Sequence, residues 1–94
     1  MSEFLSLKVI TPQRKYIYEM CDSVRFCVSD NQKGNGGGSY GIRKGHAKAI
    51  FSVDDGKFSA IGNGEVIVEA IVSSGFLSVD NNVVTVIIDE FQII

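Results

Sequence analysis

The stretch SGFLSVDNNVVTVII, residues 74–88, decides the fold class of this chain. Its two halves alternate apolar and polar side chains on either side of Asp80, Asn81 and Asn82. Alternation at period two puts successive side chains on opposite faces of a strand. Asp and Asn also tolerate the left-handed backbone angles of a tight turn. We therefore predict a β-hairpin with strands at 74–79 and 83–88.

The same alternation extends through most of the chain outside this hairpin. It is interrupted at Pro12, at Asp-Asp-Gly 54–56 and at Gly-Asn-Gly 62–64. Pro has no amide hydrogen to donate to a neighbouring strand, and Gly accepts positive φ. The other predicted strands are 5–11, a short strand around Tyr16 and Tyr18, 24–28, 47–53, 57–61 and 65–72. The sequence thus predicts an all-β fold, a two-sheet antiparallel β-sandwich of about nine to ten strands.

Residues 65–72, EVIVEAIV, are apolar on both sides of their predicted strand. The even-numbered residues from Val66 to Val72 share one face, and Ile67 and Ile71 lie on the other. Water disfavours two isoleucines on an open face. Two interpretations remain: the strand is buried on both sides within this domain, or its isoleucine side contacts a second protein.

The composition indicates one globular domain, residues 1–94, with enough apolar side chains for a core, since 45% of its 94 residues are hydrophobic. Nine Lys and Arg against eleven Asp and Glu give a net charge of −2. This balance argues against nucleic acid as a partner, because phosphate-binding surfaces carry excess positive charge. The sequence shows neither a signal peptide nor an apolar run of the ~20 residues that span a bilayer. We expect membrane association only through a partner.

The two cysteines, Cys21 and Cys27, lack the C-x-x-C spacing of metal and redox motifs. We interpret them as reduced thiols, with Cys27 half-buried on its strand. A disulfide between adjoining strands is the alternative.

Residues 33–46, KGNGGGSYGIRKGH, form a glycine-rich segment. A phosphate-binding loop needs Lys and then Ser or Thr after its last Gly, with a helix behind it. Here Gly45 is followed by His46, Ala47 and a predicted strand. We interpret the segment as a flexible surface loop.

The sequence predicts no catalytic, cofactor-binding or metal-binding residues. His46 is the only histidine, and no partners for a catalytic triad or a metal site stand at suitable spacing. Ser73-Ser74-Gly75 departs from the G-x-S-x-G motif of hydrolases. The adjacent carboxylates at 54–55 and 89–90 point apart in extended structure, so they do not form an acid/base pair. A small hydrolase using His46 remains a hypothesis without supporting partners.

Five segments resemble the epsilon subunit of F-type ATP synthases. Residues 41–47, GIRKGHA, are similar to that family's GI-x-PGHA, residues 74–79 to its GGFLEV, and residues 82–89 to its N-x-VTVLAD. Residues 7–12 and 22–24 resemble its opening strand and its third strand. The segments occur in the family's order over the whole chain.

The chain departs from the family's pattern at two places. Lys44 stands where the family usually has Pro, and Gly38-Ser39-Tyr40-Gly41 replaces a short acidic approach. The resemblance also implies, in many members, a C-terminal helical hairpin that inhibits ATP hydrolysis or binds ATP. Because the sequence ends at Ile94, we expect this chain to lack both properties.

The resemblance implies a ten-stranded β-sandwich that acts as a non-catalytic central-stalk subunit. It would link the γ subunit to the c-ring and couple proton or sodium flow to ATP synthesis, peripherally on the cytoplasmic face of the inner (plasma) membrane. The implied c-ring interface is Ser39, Tyr40, Gly41, Ile42, Arg43 and His46, and the implied γ interface is Ile67, Ile71 and Phe76. The alternative function is a free-standing ligand-binding β-sandwich with the glycine-rich segment at the mouth of a pocket.

Overall fold

The computed structural model describes residues 4–28 and 38–94, and the regular structure of these residues is entirely β. None of them belongs to a helix long and apolar enough to cross a membrane. The strands are β1 (Leu5–Ile10), β2 (Lys15–Cys21), β3 (Ser23–Val28), β4 (Gly38–Arg43), β5 (Ala49–Val53), β6 (Gly56–Gly62), β7 (Glu65–Val72), β8 (Gly75–Asp80), β9 (Val83–Ile88) and β10 (Phe91–Ile93).

These strands form two layers, which confirms the predicted fold class. All ten of these strands are hydrogen-bonded into one curled sheet. Its first half, here called the first sheet, has the order β4-β3-β6-β7-β10, and its second half, the second sheet, has the order β5-β8-β9-β1-β2. One corner joins them, where Val28 pairs with Val53 and the Asp54 N–H donates to the Cys27 carbonyl. All pairs are antiparallel except β1 with β9, which is parallel. Parallel pairing is possible there because β1 and β9 are far apart in sequence and need no hairpin between them.

Alternate side chains of both sheets fill one core. The largest fully buried ones are Phe26, Phe58, Leu5, Leu7, Ile42 and Leu77. Burial of each contributes about 1.5–3 kcal/mol relative to exposure. Aromatic pairs close both open sides: the Tyr16 and Phe91 rings lie 4.7 Å apart between β2 and β10, and the Tyr40 and Phe51 rings lie 4.8 Å apart between β4 and β5.

The predicted hairpin turns are confirmed. Asn81 and Asn82 at the β8–β9 turn have φ of 53° and 66°, and Asn63 and Gly64 at the β6–β7 turn have φ of 56° and 79°. Two consecutive residues with positive φ give the turn that matches the twist of paired strands.

The flexible-loop interpretation of the glycine-rich segment is wrong for residues 38–43, which form β4 along the whole of β3. Tyr40 and Ile42 point inward from β4, and this apolar alternation outweighs the poor strand propensity of the glycines beside them. Residues 33–37 of the segment lie outside the described residues. The short strand β10 was also absent from the segments that alternation alone predicted.

Two-sided burial of residues 65–72 is also wrong. Val68, Ala70 and Val72 are buried, but Ile67 and Ile71 are exposed. Val66 was predicted to share a face with Val68, Ala70 and Val72, yet it is 57% exposed. The pairing slips there, because Ala60 pairs with Val68 whereas Ile61 pairs with Val66. The extra residue is a β-bulge, which turns the side chains before it to the other face.

Gly75 lies directly against the backbone of β9. A Cβ atom at this position would collide with the Ile87 carbonyl oxygen, and it would lie 2.7 Å from Ile88 Cγ2. We expect Gly75→Ala to lower the free energy of unfolding by about 1–3 kcal/mol, as overpacking does elsewhere.

Urea unfolding followed by circular dichroism measures this effect. Gly38→Ala is the matched control, because a Cβ there would have no atom within 4 Å, and we expect a change within about 0.5 kcal/mol. Equal midpoints for the two variants would contradict the steric argument.

Candidate partner-binding surfaces

One end of the sandwich is held together by hydrogen bonds between its connections. The Gly45 N–H donates to Asn82 Oδ1 at 2.7 Å, and the Asn63 N–H donates to Asp22 Oδ2 at 2.6 Å. The Ser6 N–H donates to the Asn82 carbonyl at 2.9 Å. These bonds tie the segments after β2, β4, β6 and β8 into one braced end, where Arg43 and His46 of the predicted c-ring interface are found.

The residues predicted to contact the c-ring do not all face the same way. Ser39, Gly41 and Arg43 are exposed on the outer side of β4, whereas Tyr40 points inward and is half-buried. Ile42 is 0% exposed. The prediction that Ile42 lies at an interface is therefore corrected: its side chain is a core contact, and strand alternation between Gly41 and Arg43 is the reason.

His46 lies beside Tyr40 and contacts the residues around it through both ring nitrogens. Its Nδ1 lies 2.7 Å from the Ala47 carbonyl oxygen, which can only accept, so Nδ1 carries the hydrogen. In the neutral ring Nε2 then accepts from the Tyr40 hydroxyl at 3.3 Å. The ring also packs edge-on against Phe51, with centroids 6.0 Å apart. These contacts fix the connection from β4 to β5.

The surroundings of His46 do not form a hydrolytic or metal site. Its ring nitrogens contact a hydroxyl and a backbone carbonyl, whereas a catalytic histidine is usually oriented by a carboxylate. Across residues 4–28 and 38–94, no group of three or more His, Cys, Asp and Glu side chains is placed to hold a metal ion. The contacts of His46 therefore support a structural role, in which it holds the connection from β4 to β5.

The outer side of the second sheet carries a row of apolar side chains that crosses three strands. Phe76 on β8 pairs directly with Ile87 on β9, and Ile87 pairs with Ile10 on β1. Phe76 is 60% exposed, and Ile50 on the neighbouring β5 is 75% exposed. We call this surface, formed by Ile10, Ile17, Ile50, Phe76, Val83 and Ile87, the second-sheet face.

Most of the second-sheet face was missed by the sequence analysis, which singled out only Phe76. The signal was present, because VVTVII at 83–88 is apolar on both sides of its strand, as 65–72 is. Recognising that Ile87 joins Phe76 requires the strand register, which alternation within one strand does not supply.

The three residues predicted to contact γ are not brought together. Ile67 and Ile71 are exposed on β7 of the first sheet, whereas Phe76 lies on β8 of the second. Ile67 folds over Gly62, where a Cβ would collide with Ile67 Cδ1. These residues therefore belong to two separate apolar surfaces.

Both cysteines are free thiols, as predicted, with Cys21 buried and Cys27 half-buried. Burial raises the pKa of the Cys21 thiol above its usual value of 9.0, and the neighbouring Asp22 charge raises it further. The Cys21 Sγ lies 3.6 Å from the Tyr18 carbonyl oxygen, to which the neutral thiol can donate. The fold therefore favours the protonated form of Cys21.

The raised pKa of Cys21 gives a pH dependence with a definite sign. Because the pKa is higher in the folded state than in the unfolded state, this contribution to stability is fully present below pH 9 and is lost as pH rises through the folded pKa. We expect the free energy of unfolding of the wild type to fall more steeply above pH 9 than that of Cys21→Ala. Denaturant titrations on both sides of this pH measure the slopes, and equal slopes for the wild type and Cys21→Ala would contradict the prediction.

Replacement of His46 tests its bracing role. We expect His46→Ala to remain folded and to lose about 1 kcal/mol of stability, because it removes hydrogen bonds of ordinary strength and some packing. Tyr40→Phe removes only the hydroxyl and should lose less. Calorimetric melting measures both changes, and no change in His46→Ala would show that the brace is energetically unimportant.

The family model for the ATP synthase delta/epsilon chain β-sandwich domain matches residues 4–93. No curated protein matches this chain by sequence.

Solved structures share the fold at low sequence identity. A chain of the Euglena gracilis mitochondrial ATP synthase assembly of OSCP, F1 and c-ring superimposes with a TM-score of 0.80 and 14% identity, covering 99% of this chain and 55% of that one. A chain of the Tetrahymena thermophila mitochondrial ATP synthase central stalk and c-ring superimposes with a TM-score of 0.72 and 11% identity, covering 96% and 66%. This chain thus spans between about half and two thirds of the length of these similar chains.

Proposed function

Because this chain belongs to the ATP synthase delta/epsilon chain family, whose members are non-catalytic stalk subunits, we propose that it links the γ subunit to the c-ring and couples proton or sodium flow to ATP synthesis. In this proposal it is a peripheral component on the cytoplasmic face of the inner (plasma) membrane. Its contact with the membrane is made only through the complex.

The second-sheet face is the observation that carries this proposal. Isolated exposed apolar residues are ordinary, but here Phe76, Ile87 and Ile10 are neighbours across three strands. Contiguous apolar patches of this kind mark interaction sites in soluble domains. We assign the main γ contact to this face. Ile67 and Ile71 stand as a second, separate γ contact on the first sheet.

The c-ring contact is assigned to the outward residues of β4 and to the braced end beside them. Ser39, Gly41 and Arg43 present small and cationic groups there. On the inner side of the same segment, the half-buried Tyr40 and His46 are hydrogen-bonded to each other. The hydrogen bonds from Gly45 and Asn63 keep this end from deforming independently of the sheets.

The coupling role requires stiffness, which the architecture supplies. Hydrogen-bonded strands and a close-packed core resist shear between the two partner-binding surfaces. Load applied at the braced end would pass through both sheets to the second-sheet face without a change of fold.

Size-exclusion chromatography with γ tests the main contact. We expect the wild-type chain to co-elute with γ, and Phe76→Asp and Ile87→Asp to weaken the complex at least roughly 30-fold, as loss of a central apolar anchor does elsewhere. Ile93→Asp is the matched control, because Ile93 is also exposed but lies on β10 outside the proposed contacts.

Ile71→Asp examines the second contact separately. A loss confined to Phe76→Asp and Ile87→Asp would assign γ to the second-sheet face alone. Unimpaired co-elution of all variants, or no co-elution of the wild type, would refute the proposed γ contact.

A further inference from the structure

The outer side of the first sheet carries a groove that shares Arg43 with the proposed c-ring contact and extends from there onto β3 and β6. It has a volume of about 630 Å³ and is lined by Asp22, Ser23, Arg25, Arg43, Lys44, Ile61 and Gly64. We call it the β3–β4 groove. Its charged lining consists of three cations and one carboxylate, although the chain as a whole has a net charge of −2.

The strand register explains why the cations meet. Ser23 pairs with Arg43, and Arg25 pairs with Gly41. Residues 24, 26 and 28 of β3 are buried, so Ser23 and Arg25 face outward, and Arg43 does the same on β4. Arg25 and Arg43 are therefore diagonal neighbours on one face, a relation that places such residues about 7–8 Å apart.

Arg25 is held along the sheet surface. A Cβ at Gly41 would lie 3.6 Å from Arg25 Nη2, so the guanidinium passes over the bare glycine. Arg25 Nη1 also approaches Ser39 Oγ at 3.4 Å, a long hydrogen bond. The side chain is thus positioned in advance, which lowers the entropy cost of binding a ligand.

The positive charge of the two arginines is not neutralised within the described part of the chain. Neither arginine takes part in the ion pair of Lys57 with Glu69, at 3.0 Å on the same sheet, or in that of Lys48 with Asp80, at 3.9 Å. Asp22, the one carboxylate of the groove, accepts the Asn63 N–H. Two arginines on one face, neither of them in an ion pair among the described residues, favour an anionic ligand.

The paired backbone and the spread of cations in the groove favour an extended ligand over a compact phosphate. Phosphate sites usually gather free backbone N–H groups at a helix N-terminus or a nest, whereas β3 and β4 pair with each other over their whole length. The cations come from separate positions on two strands, and Ile61 adds an apolar contact between them. A peptide with carboxylates on alternate residues matches this spacing, because its other side chains face the opposite way.

We propose that the β3–β4 groove binds an extended acidic segment of a partner protein, with Arg25 and Arg43 as the residues that recognise its carboxylates. Lys44 adds positive charge at the rim. The inference goes beyond the proposed function, since it specifies the chemistry of a bound segment. It shares Arg43 with the proposed c-ring contact, so this segment and the c-ring would compete there, but its test uses neither γ nor the c-ring.

Fluorescence anisotropy with a labelled peptide of alternating Glu and Ala tests the proposal at low salt. We expect the wild-type chain to bind it, and the double variant Arg25→Gln/Arg43→Gln to bind at least about fivefold more weakly, as the loss of two partly exposed charge contacts implies. The matched control is Lys8→Gln/Lys15→Gln, which removes the same charge from the second sheet and should stay within about twofold of the wild type.

Three results would overturn the proposal. Equal weakening of both double variants would show a response to net charge alone. Equal binding of a Gln and Ala peptide would show that carboxylates are not recognised. Binding of inorganic triphosphate without binding of the acidic peptide would identify a phosphate site. If the peptide binds as expected but γ does not co-elute with the chain, the result would count against the proposed function and leave this inference intact.

Discussion

Packing of alternate side chains from two sheets into one core fixes the direction of the outward side chains on the described strands. Leu5, Leu7 and Val9 are fully buried on β1, so Lys8 and Ile10 must point away from the core. The same constraint sends Phe76 outward because Leu77 is inward. The partner-binding surfaces are consequently determined by the core. A shift of one residue in the register of a strand would exchange its buried side chains for its exposed ones.

The two outer surfaces that result differ in chemistry. The second sheet presents apolar side chains such as Phe76 and Ile87, and the first sheet presents Arg25 and Arg43 around a groove. An apolar face gains free energy from burial itself, whereas a cationic groove gains it mainly by choosing ligands of opposite charge. One small domain therefore has an apolar surface suited to firm attachment of a partner and a cationic surface suited to selecting partners by their charge.

Alternation and turn chemistry were sufficient to predict the fold class and most strands. The hairpin around Asn81 and Asn82 followed from local signals, and so did the ends of β6 and β7. β4 was missed because its glycines masked the alternation of Tyr40 and Ile42. The bulge at Ile67 was also missed, since the pairing partner rather than the strand's own sequence determines such a slip.

The candidate surfaces were less predictable than the fold, because they depend on contacts between strands distant in sequence. Ile10 and Ile87 are neighbours only through the parallel pairing of β1 with β9. Arg25 was not singled out at all, since its importance comes from Arg43 across the β3–β4 pair and from the bare surface of Gly41. Ile42 was wrongly predicted to lie at an interface. The prediction took residues 41–47 as one motif and did not consider that side chains alternate between the two faces of β4.

The geometry of the sandwich links these surfaces mechanically. Packed sheets lie about 10 Å apart, and their side chains interdigitate at the density of a crystal. Proteins bound to the second-sheet face and to the β3–β4 groove would therefore be held at a fixed separation by one core. The aromatic contacts of Tyr16 with Phe91 and of Tyr40 with Phe51 close the open sides, where sliding of one sheet over the other would begin. Movement of one partner would then be transmitted to the other without any conformational change in this domain.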